Sequence, residues 1–331
     1  MAKLKKTLAV GAAALMGLSG CANTGSGELF ETAQAPAAQG TFPRTATDEA
    51  QSLPSFEDAA NYQLVEGEAA QQVIDQILQR TKADAAQWPT TTDIFARSMA
   101  TSTVTTFEYT DPTVGFVSVS IPVEYEVDAQ AKIMRTTIDM NSLADIPVDS
   151  LGEASGQDLY IEGYLAATPD GQVKLYAKAL GMWMKGTLSG TDFDRLLSES
   201  GSLAVPSSGE LDLFADPALY QVKENAEAYL ISGPVSPFVL ESMKDAEAQG
   251  MKISGADSSM QILVNKEAFE SVGVSYTFRG TEVDGSAFSL TTTSVYDQTA
   301  TPQIVLPAEA ENGTEFPGEE IFNSIMGATA L

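Results

Sequence analysis

Apolar and polar side chains alternate over long stretches of this chain, and a period of two predicts strands. The clearest run is 117–127, where Val, Ile and Tyr alternate with Ser, Pro and Glu. That pattern indicates a strand with one buried and one solvated face. Turn residues at 128–131 separate it from a second run at 132–141. We therefore expect the two runs to pair as an antiparallel hairpin.

Similar patterns farther along the chain predict more strands. The turn sequence Thr168-Pro169-Asp170-Gly171 joins two of them, and Asp284-Gly285 joins two others. The remaining strands are predicted at 159–165, at 173–177 with a continuation towards Trp183, and at 219–231, 260–264, 272–278, 288–290 and 301–307.

Four segments show helical signals instead. In the first, Val73, Ile77 and Leu78 recur at the spacing of one helical face. Thr191 and Ser236 are suitable N-cap residues for the second and third. The predicted helices are 66–86, 192–199, 237–249 and 319–326.

The order of these elements predicts the fold class. Strands follow strands through short turns, so the sheet should be antiparallel, and its apolar face must be covered. Only a few helices are available for this. We expect an α+β fold in which a strongly curved antiparallel sheet, a half-barrel, carries a few helices on its concave face. Residues 62–331 should form this single domain.

The N-terminus predicts export and lipid attachment. Lys3, Lys5 and Lys6 precede an apolar stretch at 8–18, which is too short to span a bilayer. The stretch ends in Leu18-Ser19-Gly20-Cys21, which resembles the lipobox of bacterial lipoproteins. We interpret residues 1–20 as a signal peptide and Cys21 as the lipidated residue. The alternative is an ordinary secretory signal beside an unrelated cysteine.

The segment after Cys21 has the composition of a tether. Residues 21–61 are rich in Ala, Gly, Ser, Thr, Gln and Pro, with little apolar periodicity. Such a segment buries too little apolar surface to offset its chain entropy, so we expect disorder. Phe42, Leu53 and Phe56 could still dock locally. The protein would thus be held at the extracytoplasmic face of the bacterial membrane.

Composition excludes several kinds of function. The 331 residues include no histidine and one cysteine, which excludes a Ser-His-Asp triad, an imidazole metal site and a Cys-x-x-Cys redox pair. The net charge is −27, and about −30 without the basic first twenty residues, which disfavours nucleic acid. The acidic segments Asp192-Phe193-Asp194 and Glu319-Glu320 match no calcium loop. We expect no metal, no cofactor and no enzymatic activity.

Two loose motifs carry a family resemblance over about residues 66–310. Lys174-Leu175-Tyr176 leads to Gly181-Met182-Trp183-Met184-Lys185, and Val295-Tyr296-Asp297 precedes a segment from Pro302 to Pro307. With the lipobox and the paired hairpins, the chain resembles Gram-positive surface lipoproteins of the LolA, LppX and LprG neighbourhood. The resemblance implies a hydrophobic cavity between sheet and helices that could hold an acyl chain or another apolar ligand.

The candidate lining of that cavity is a set of apolar residues on alternating strand positions. These residues form a pocket if the helices leave space, and a core if they fill it. The sequence leaves both readings open, and Trp183 in particular could be a core residue at a strand end. The candidates are Ile121, Met134, Ile138, Ile161, Trp183, Val274 and Tyr276.

Three functions follow from these observations. The first is a membrane-anchored, non-enzymatic lipoprotein that binds a lipid or other apolar ligand under the sheet. The alternative is a structural or adaptor lipoprotein with a filled core, whose acidic surface meets a cationic protein or a cell-wall component. The third is the substrate-binding lipoprotein of an importer, which is disfavoured because no βαβ units are visible.

Overall fold

The structure is a computed structural model, and it describes most of the chain beyond the tether. The described residues are Phe56, 61–87, 94–95, 97–111, 115–142, 159–179, 181–200, 216–242, 251–282, 285–297 and 299–327. The predicted signal peptide, Cys21, Phe42 and Leu53 lie outside them.

Fourteen strands and four α-helices are formed by the described residues. The strands are β1 (Gln63–Val65), β2 (Met99–Asp111), β3 (Gly115–Asp128), β4 (Ile133–Asp139), β5 (Tyr160–Ala167), β6 (Gln172–Ala179), β7 (Met182–Ser189), β8 (Gln221–Glu224), β9 (Ala228–Pro234), β10 (Met251–Ile253), β11 (Ser259–Asn265), β12 (Ser271–Glu282), β13 (Ala287–Asp297) and β14 (Thr314–Glu315). The helices are α1 (Glu68–Gln87), α2 (Gly190–Ser200), α3 (Pro237–Ser242) and α4 (Gly318–Gly327).

All fourteen strands belong to one open sheet. Its order is β1-β8-β9-β11-β12-β13-β2-β3-β4-β5-β6-β7-β14, and β10 pairs with β12 beyond the end of β11. Every pairing is antiparallel except that of β14 with β7. The predicted fold class, an α+β protein with a curved antiparallel sheet, is confirmed.

The two faces of the sheet differ in what covers them. We call the face that packs against the helices the inner face and the opposite one the outer face. Residues on the inner face form continuous rows of directly paired side chains across the strands. One such row is Ile262, Val274, Ser294, Thr103, Val123, Ile138 and Ile161.

Two apolar clusters lie on the inner face. The first joins Val73, Ile74 and Ile77 of α1 and Val239 of α3 to strands from β8 to β4. The second joins α2 and α4 to β3–β7. Gly163 of β5 permits close approach of α4, since a Cβ at that position would lie 2.7 Å from Cγ1 of Ile325.

Two further segments cover parts of the outer face. Phe56, in the predicted tether, packs with Tyr62 against Leu230 and Leu263. Near the other end of the sheet, Ile304 lies against the two tyrosines of β5 and β6 in a separate apolar cluster. The backbone N–H of Ile304 donates to Oδ2 of Asp128 at 3.3 Å, which fastens this C-terminal segment to the end of β3.

The structure confirms one of the two predicted N-caps and corrects the other. The amide of Val239 donates to Oγ of Ser236 at 3.3 Å, as expected for the N-cap of α3. Residues 243–250 of that predicted helix lie outside the described part. For α2 the prediction of Thr191 was wrong, because Oγ of Ser189 accepts from the amide of Asp192 at 3.1 Å. The Asp192 carboxylate accepts from the Ser189 hydroxyl in return.

Four strand predictions need correction. The strand from 173 towards Trp183 is two strands, β6 and β7, because Gly181 adopts a φ of +77° and reverses the chain. Residues 219–231 form the β8–β9 hairpin rather than one strand. Strand β2 was not predicted at all. Residues 301–307 form no strand and instead cross the outer face.

Candidate functional site

The structure brings six of the seven predicted lining residues together on the inner face. Ile138 is paired directly with Ile161, and Val274 lies in the same cross-strand row. Ile121 and Tyr276 belong to the next row, joined through Thr105 and Thr292. Met134 lies four residues before Ile138 on the same face of β4. The six are Ile121, Met134, Ile138, Ile161, Val274 and Tyr276.

Burial divides these six into two groups of three. Met134, Ile138 and Ile121 retain only 1%, 3% and 8% of their surface, so the protein's own side chains enclose them. Ile161, Val274 and Tyr276 are only partly buried. The core reading therefore applies to the first three, and the second three remain available for contact with a ligand.

Trp183 does not belong to this group. It is paired with Lys178 on the outer face of β7, while its neighbour Met184 faces the inner cluster. The indole lies 6.1 Å from the ring of Tyr164, and the ammonium of Lys178 lies 5.9 Å from the indole centroid. Trp183 thus packs under the C-terminal segment, separated by the sheet from the other six candidates.

Partly buried apolar residues that the sequence analysis did not select adjoin the same region. Val123 is paired with both Thr103 and Ile138, so it occupies the middle of the inner face. Met140 also contacts the first apolar cluster while keeping part of its surface exposed. With Ile161, Val274 and Tyr276, these residues form what we call the inner strip.

Hydroxyl groups interrupt this apolar face where β13 meets β2. Thr103 bonds Ser294 at 2.9 Å, and Thr105 bonds Thr292 at 3.2 Å. Both pairs are formed by directly opposed residues, so each hydroxyl satisfies its partner without water. The threonine-rich sequences of 101–106 and 291–293 could have indicated these hydroxyl pairs. Their low hydrophobicity, however, did not suggest that alternate residues lie on the inner face.

The Thr136 hydroxyl, also on the inner face, lacks such compensation. Thr136 retains 2% of its surface, and its hydroxyl has no hydrogen-bond partner. A buried hydroxyl without a partner costs about 1–3 kcal/mol. Tyr125 is paired directly with Thr136. Desolvation by burial raises the pKa of Tyr125 to about 12, and no hydrogen bond or charge contributes to that shift.

The outer face of the same strands holds a connected polar network. Arg135 donates to Glu126 at 3.3 Å, and its Nε lies 3.5 Å from Glu162. The Tyr164 hydroxyl donates to Glu162 at 2.6 Å, and that of Tyr176 donates to Glu311 at 2.8 Å. This network holds β3–β6 together beneath the C-terminal segment.

The pKa shifts in this network have clear causes. Desolvation by burial and, as a smaller contribution, the hydrogen bond to Glu162 raise the pKa of Tyr164 far above its usual range. Desolvation and the bond to Glu311 raise the pKa of Tyr176 in the same way. For Arg135, desolvation lowers the pKa, but Tyr164, Glu126 and Glu162 outweigh it and raise the value. The two carboxylates share one guanidinium, which is the arrangement of a structural ion-pair network.

Charge is distributed unevenly between the two faces. By their register, all lysines and arginines of the described strands lie on the outer face, opposite the helices. An anionic group at the inner strip would therefore meet no strand cation. These residues are Arg135, Lys174, Lys178, Lys185, Lys223, Lys252 and Arg279.

The described residues contain neither a metal-binding cluster nor a membrane-spanning helix. No group of three or more Asp, Glu or Cys side chains there is arranged to hold a metal ion. Among the helices of this part of the chain, none has the length and apolar character needed to cross a membrane.

Comparison with known proteins adds remote structural similarities. No family model matches the chain, and no curated protein sequence does. A domain described as that of an outer membrane lipoprotein-sorting protein from Vibrio parahaemolyticus is 9% identical, with 73% of this chain and 97% of that chain covered and a TM-score of 0.20.

Two other solved structures are similarly remote. The ywiB protein of Bacillus subtilis is 7% identical, covers 60% of this chain and 92% of its own, and has a TM-score of 0.16. A DUF1329 family protein of Desulfovibrio piger is 8% identical, covers 66% and 91%, and has a TM-score of 0.19. At these TM-scores the superpositions carry no argument about function, which must come from the chain's own geometry.

Proposed function

We propose that this chain is a membrane-anchored extracytoplasmic lipoprotein that binds a lipid or another apolar ligand on the inner face of its sheet, without catalysis. The inner strip is the observation that carries this proposal. Its apolar side chains pack against the first apolar cluster and remain partly exposed. Burial of such surface against an apolar ligand is favourable by about 25 cal/mol per Å².

The position of the strip supports the same proposal. Val123 and Val274 flank the hydroxyl pair of Thr103 and Ser294 in one row of side chains. An apolar molecule lying along the row would contact β-branched side chains on both sides of two satisfied hydroxyls. Ligand sites of this kind combine a mostly apolar lining with a few polar groups.

A filled core with an acidic partner-binding surface is the alternative. The near-complete burial of Met134 and Ile138 favours it, because the protein's own side chains enclose both residues. The outer face would then be the functional one, with a cationic protein or cell-wall component as partner. Recovery of that partner should fall as salt rises, since surface electrostatics are screened.

Uptake of a fluorescent fatty acid by a form that begins at Ala22 tests the choice. That form retains all described residues and removes the lipidation site. Ile161→Trp should fill the inner strip and weaken uptake at least tenfold. Val104→Trp is the matched control, because Val104 lies on the outer face of β2 and is 39% exposed. Equal uptake by both variants would contradict the proposal.

The anchor is tested separately. Metabolic labelling with radioactive palmitate should mark the full chain and leave Cys21→Ala unlabelled. In membrane fractionation, that variant should no longer be found with the membranes. Labelling of Cys21→Ala would contradict lipid attachment at this cysteine.

A further inference from the structure

The described part of the inner face contains a buried hydroxyl without a hydrogen-bond partner and a partly buried phenol directly opposite it. Thr136 is almost fully buried, yet its hydroxyl bonds to nothing. Tyr125 lies directly opposite it, and its phenol is desolvated without help from any hydrogen bond. All the hydroxyls of the nearby β2–β13 pairs discussed above are bonded, so the defect is local.

The surroundings of this pair adjoin the inner strip. Met134 and Ile138 flank Thr136 on the same face of β4, and Val123 flanks Tyr125 on β3. Tyr125 also packs against the second apolar cluster, whereas Val123 packs against the first. Thr136 and Tyr125 therefore lie where the two clusters meet, at one side of the strip.

The chemistry of the pair defines what it would bind. A threonine hydroxyl and a protonated phenol both donate hydrogen bonds, and a high phenol pKa keeps Tyr125 protonated across the physiological range. Because all strand lysines and arginines lie on the outer face, a phosphate or carboxylate would enter without a strand cation. An uncharged acceptor suits the position better, since a buried charge without a partner is strongly disfavoured.

From this juxtaposition we infer that Thr136 and Tyr125 form a polar subsite for the ester carbonyl oxygen of a neutral acyl lipid. The inference rests on the proposed function and makes it more specific: the acyl chain lies along the inner strip, and its ester oxygen accepts from the two hydroxyls. The subsite therefore favours acyl esters over free fatty acids, which the apolar strip alone still binds, though more weakly.

Calorimetric titration with two probes tests the subsite. Dioctanoylglycerol carries ester carbonyls, and its dioctyl ether analogue has the same chains without them. The form beginning at Ala22 should bind the ester about 5- to 10-fold more tightly than the ether, as expected for two hydrogen bonds of modest net strength. Thr136→Val and Tyr125→Phe should each reduce this preference, and Thr136→Ser should retain it.

A matched control separates binding from folding. Thr291→Val removes a hydroxyl of the outer face, where Thr291 bonds Thr277 at 3.2 Å, and should leave the ester preference unchanged. Equal affinity of the original chain for ester and ether would overturn the subsite and leave apolar binding intact. Binding of neither probe would contradict the proposed function, and the subsite with it.

Discussion

The two faces of β4 and β5 bury polar groups in opposite ways. On the outer face, Arg135, Glu162 and Tyr164 form one connected set of ion pairs and hydrogen bonds. On the inner face, the Thr136 hydroxyl of β4 is buried without a hydrogen-bond partner, and the partly buried Tyr125 lies opposite it on β3. Both faces are covered, but on the outer face even the Arg135 Nε, which makes no hydrogen bond, lies 3.5 Å from a carboxylate oxygen of Glu162.

That difference indicates different roles for the two faces. Uncompensated buried hydroxyls are rare in folded proteins because each one costs stability. The ion pairs and hydrogen bonds of the outer network offset the desolvation of their own groups, so this network stabilises the fold. The hydroxyls of the inner face gain a hydrogen bond only if a ligand supplies an acceptor. For this reason we propose that the ligand binds on that face.

The largest expected effect concerns the apolar cover of the inner face. Phe322 of α4 is 1% exposed and meets Phe193 edge-on at 5.8 Å. Phe322→Ala should lower the free energy of unfolding by about 3–5 kcal/mol through lost burial and a cavity. Phe116 is 68% exposed, so Phe116→Ala should change it by less than about 0.5 kcal/mol. Urea unfolding measures both, and equal effects would mean that α4 does not pack as described.

Alkaline pH should reveal the buried phenols of both faces. The pKa values of Tyr125, Tyr164 and Tyr176 are raised in the folded state, so the folded chain holds their protons more tightly than the unfolded chain. The stability they contribute is complete below about pH 10 and is lost as pH rises towards 12. The slope should reach about 1.4 kcal/mol per pH unit for each phenol.

Phenylalanine variants separate the contributions that the phenols of the two faces make to this loss of stability at alkaline pH. Tyr125→Phe should reduce the alkaline slope without lowering stability at pH 7, because its phenol has no bond to lose. Tyr164→Phe should reduce the slope and also cost about 1 kcal/mol at pH 7, since it removes the bond to Glu162. Unfolding curves from pH 7 to 11 measure both. A loss at neutral pH in Tyr125→Phe would mean that its phenol is already bonded within the chain.

The outer network should show a moderate effect of charge. Glu162 is 8% exposed and contacts both Arg135 and Tyr164. Glu162→Gln should destabilise the fold by about 1–2 kcal/mol, because it weakens charge-assisted bonds in a buried setting. Glu124 lies exposed on the same face, and Glu124→Gln is the control, with little change expected. An unchanged midpoint in the first variant would show that the network contributes nothing to stability.

The smallest effects should differ in sign. Thr136→Val replaces an unpartnered buried hydroxyl with a methyl group of similar shape and should raise stability by about 0.5–1 kcal/mol. Thr105→Val removes the partner of the Thr292 hydroxyl and should lower it by about 1 kcal/mol. Differential unfolding of the two variants measures this contrast. Loss of stability in Thr136→Val would mean that the Thr136 hydroxyl has a hydrogen-bond partner in the folded protein.

Sequence patterns predicted the sheet and its helices, but with specific failures. The alternation of 117–127 identified β3 because apolar and polar residues differ sharply there. Strand β2 was missed because Thr103 and Thr105 occupy inner positions with polar side chains. Strands β6 and β7 were predicted as one strand because Gly181 was taken to continue it. Its positive φ instead reverses the chain.

The candidate site shows the same strengths and limits. Period-two reasoning selected six inner-face residues, since alternation alone assigns a face. Trp183 was assigned to that face wrongly, because the turn at Gly181 resets the alternation. Thr136 and Tyr125 could not be recognised from sequence, because a hydroxyl's lack of a partner depends on packing between strands distant from each other in the chain.

Native mass spectrometry of the form beginning at Ala22, followed by organic extraction, tests the central claim most directly. The account predicts one apolar molecule per chain, released by extraction and absent after Ile161→Trp. Protein that is folded, free of any adduct and unable to take up the fluorescent fatty acid would contradict it.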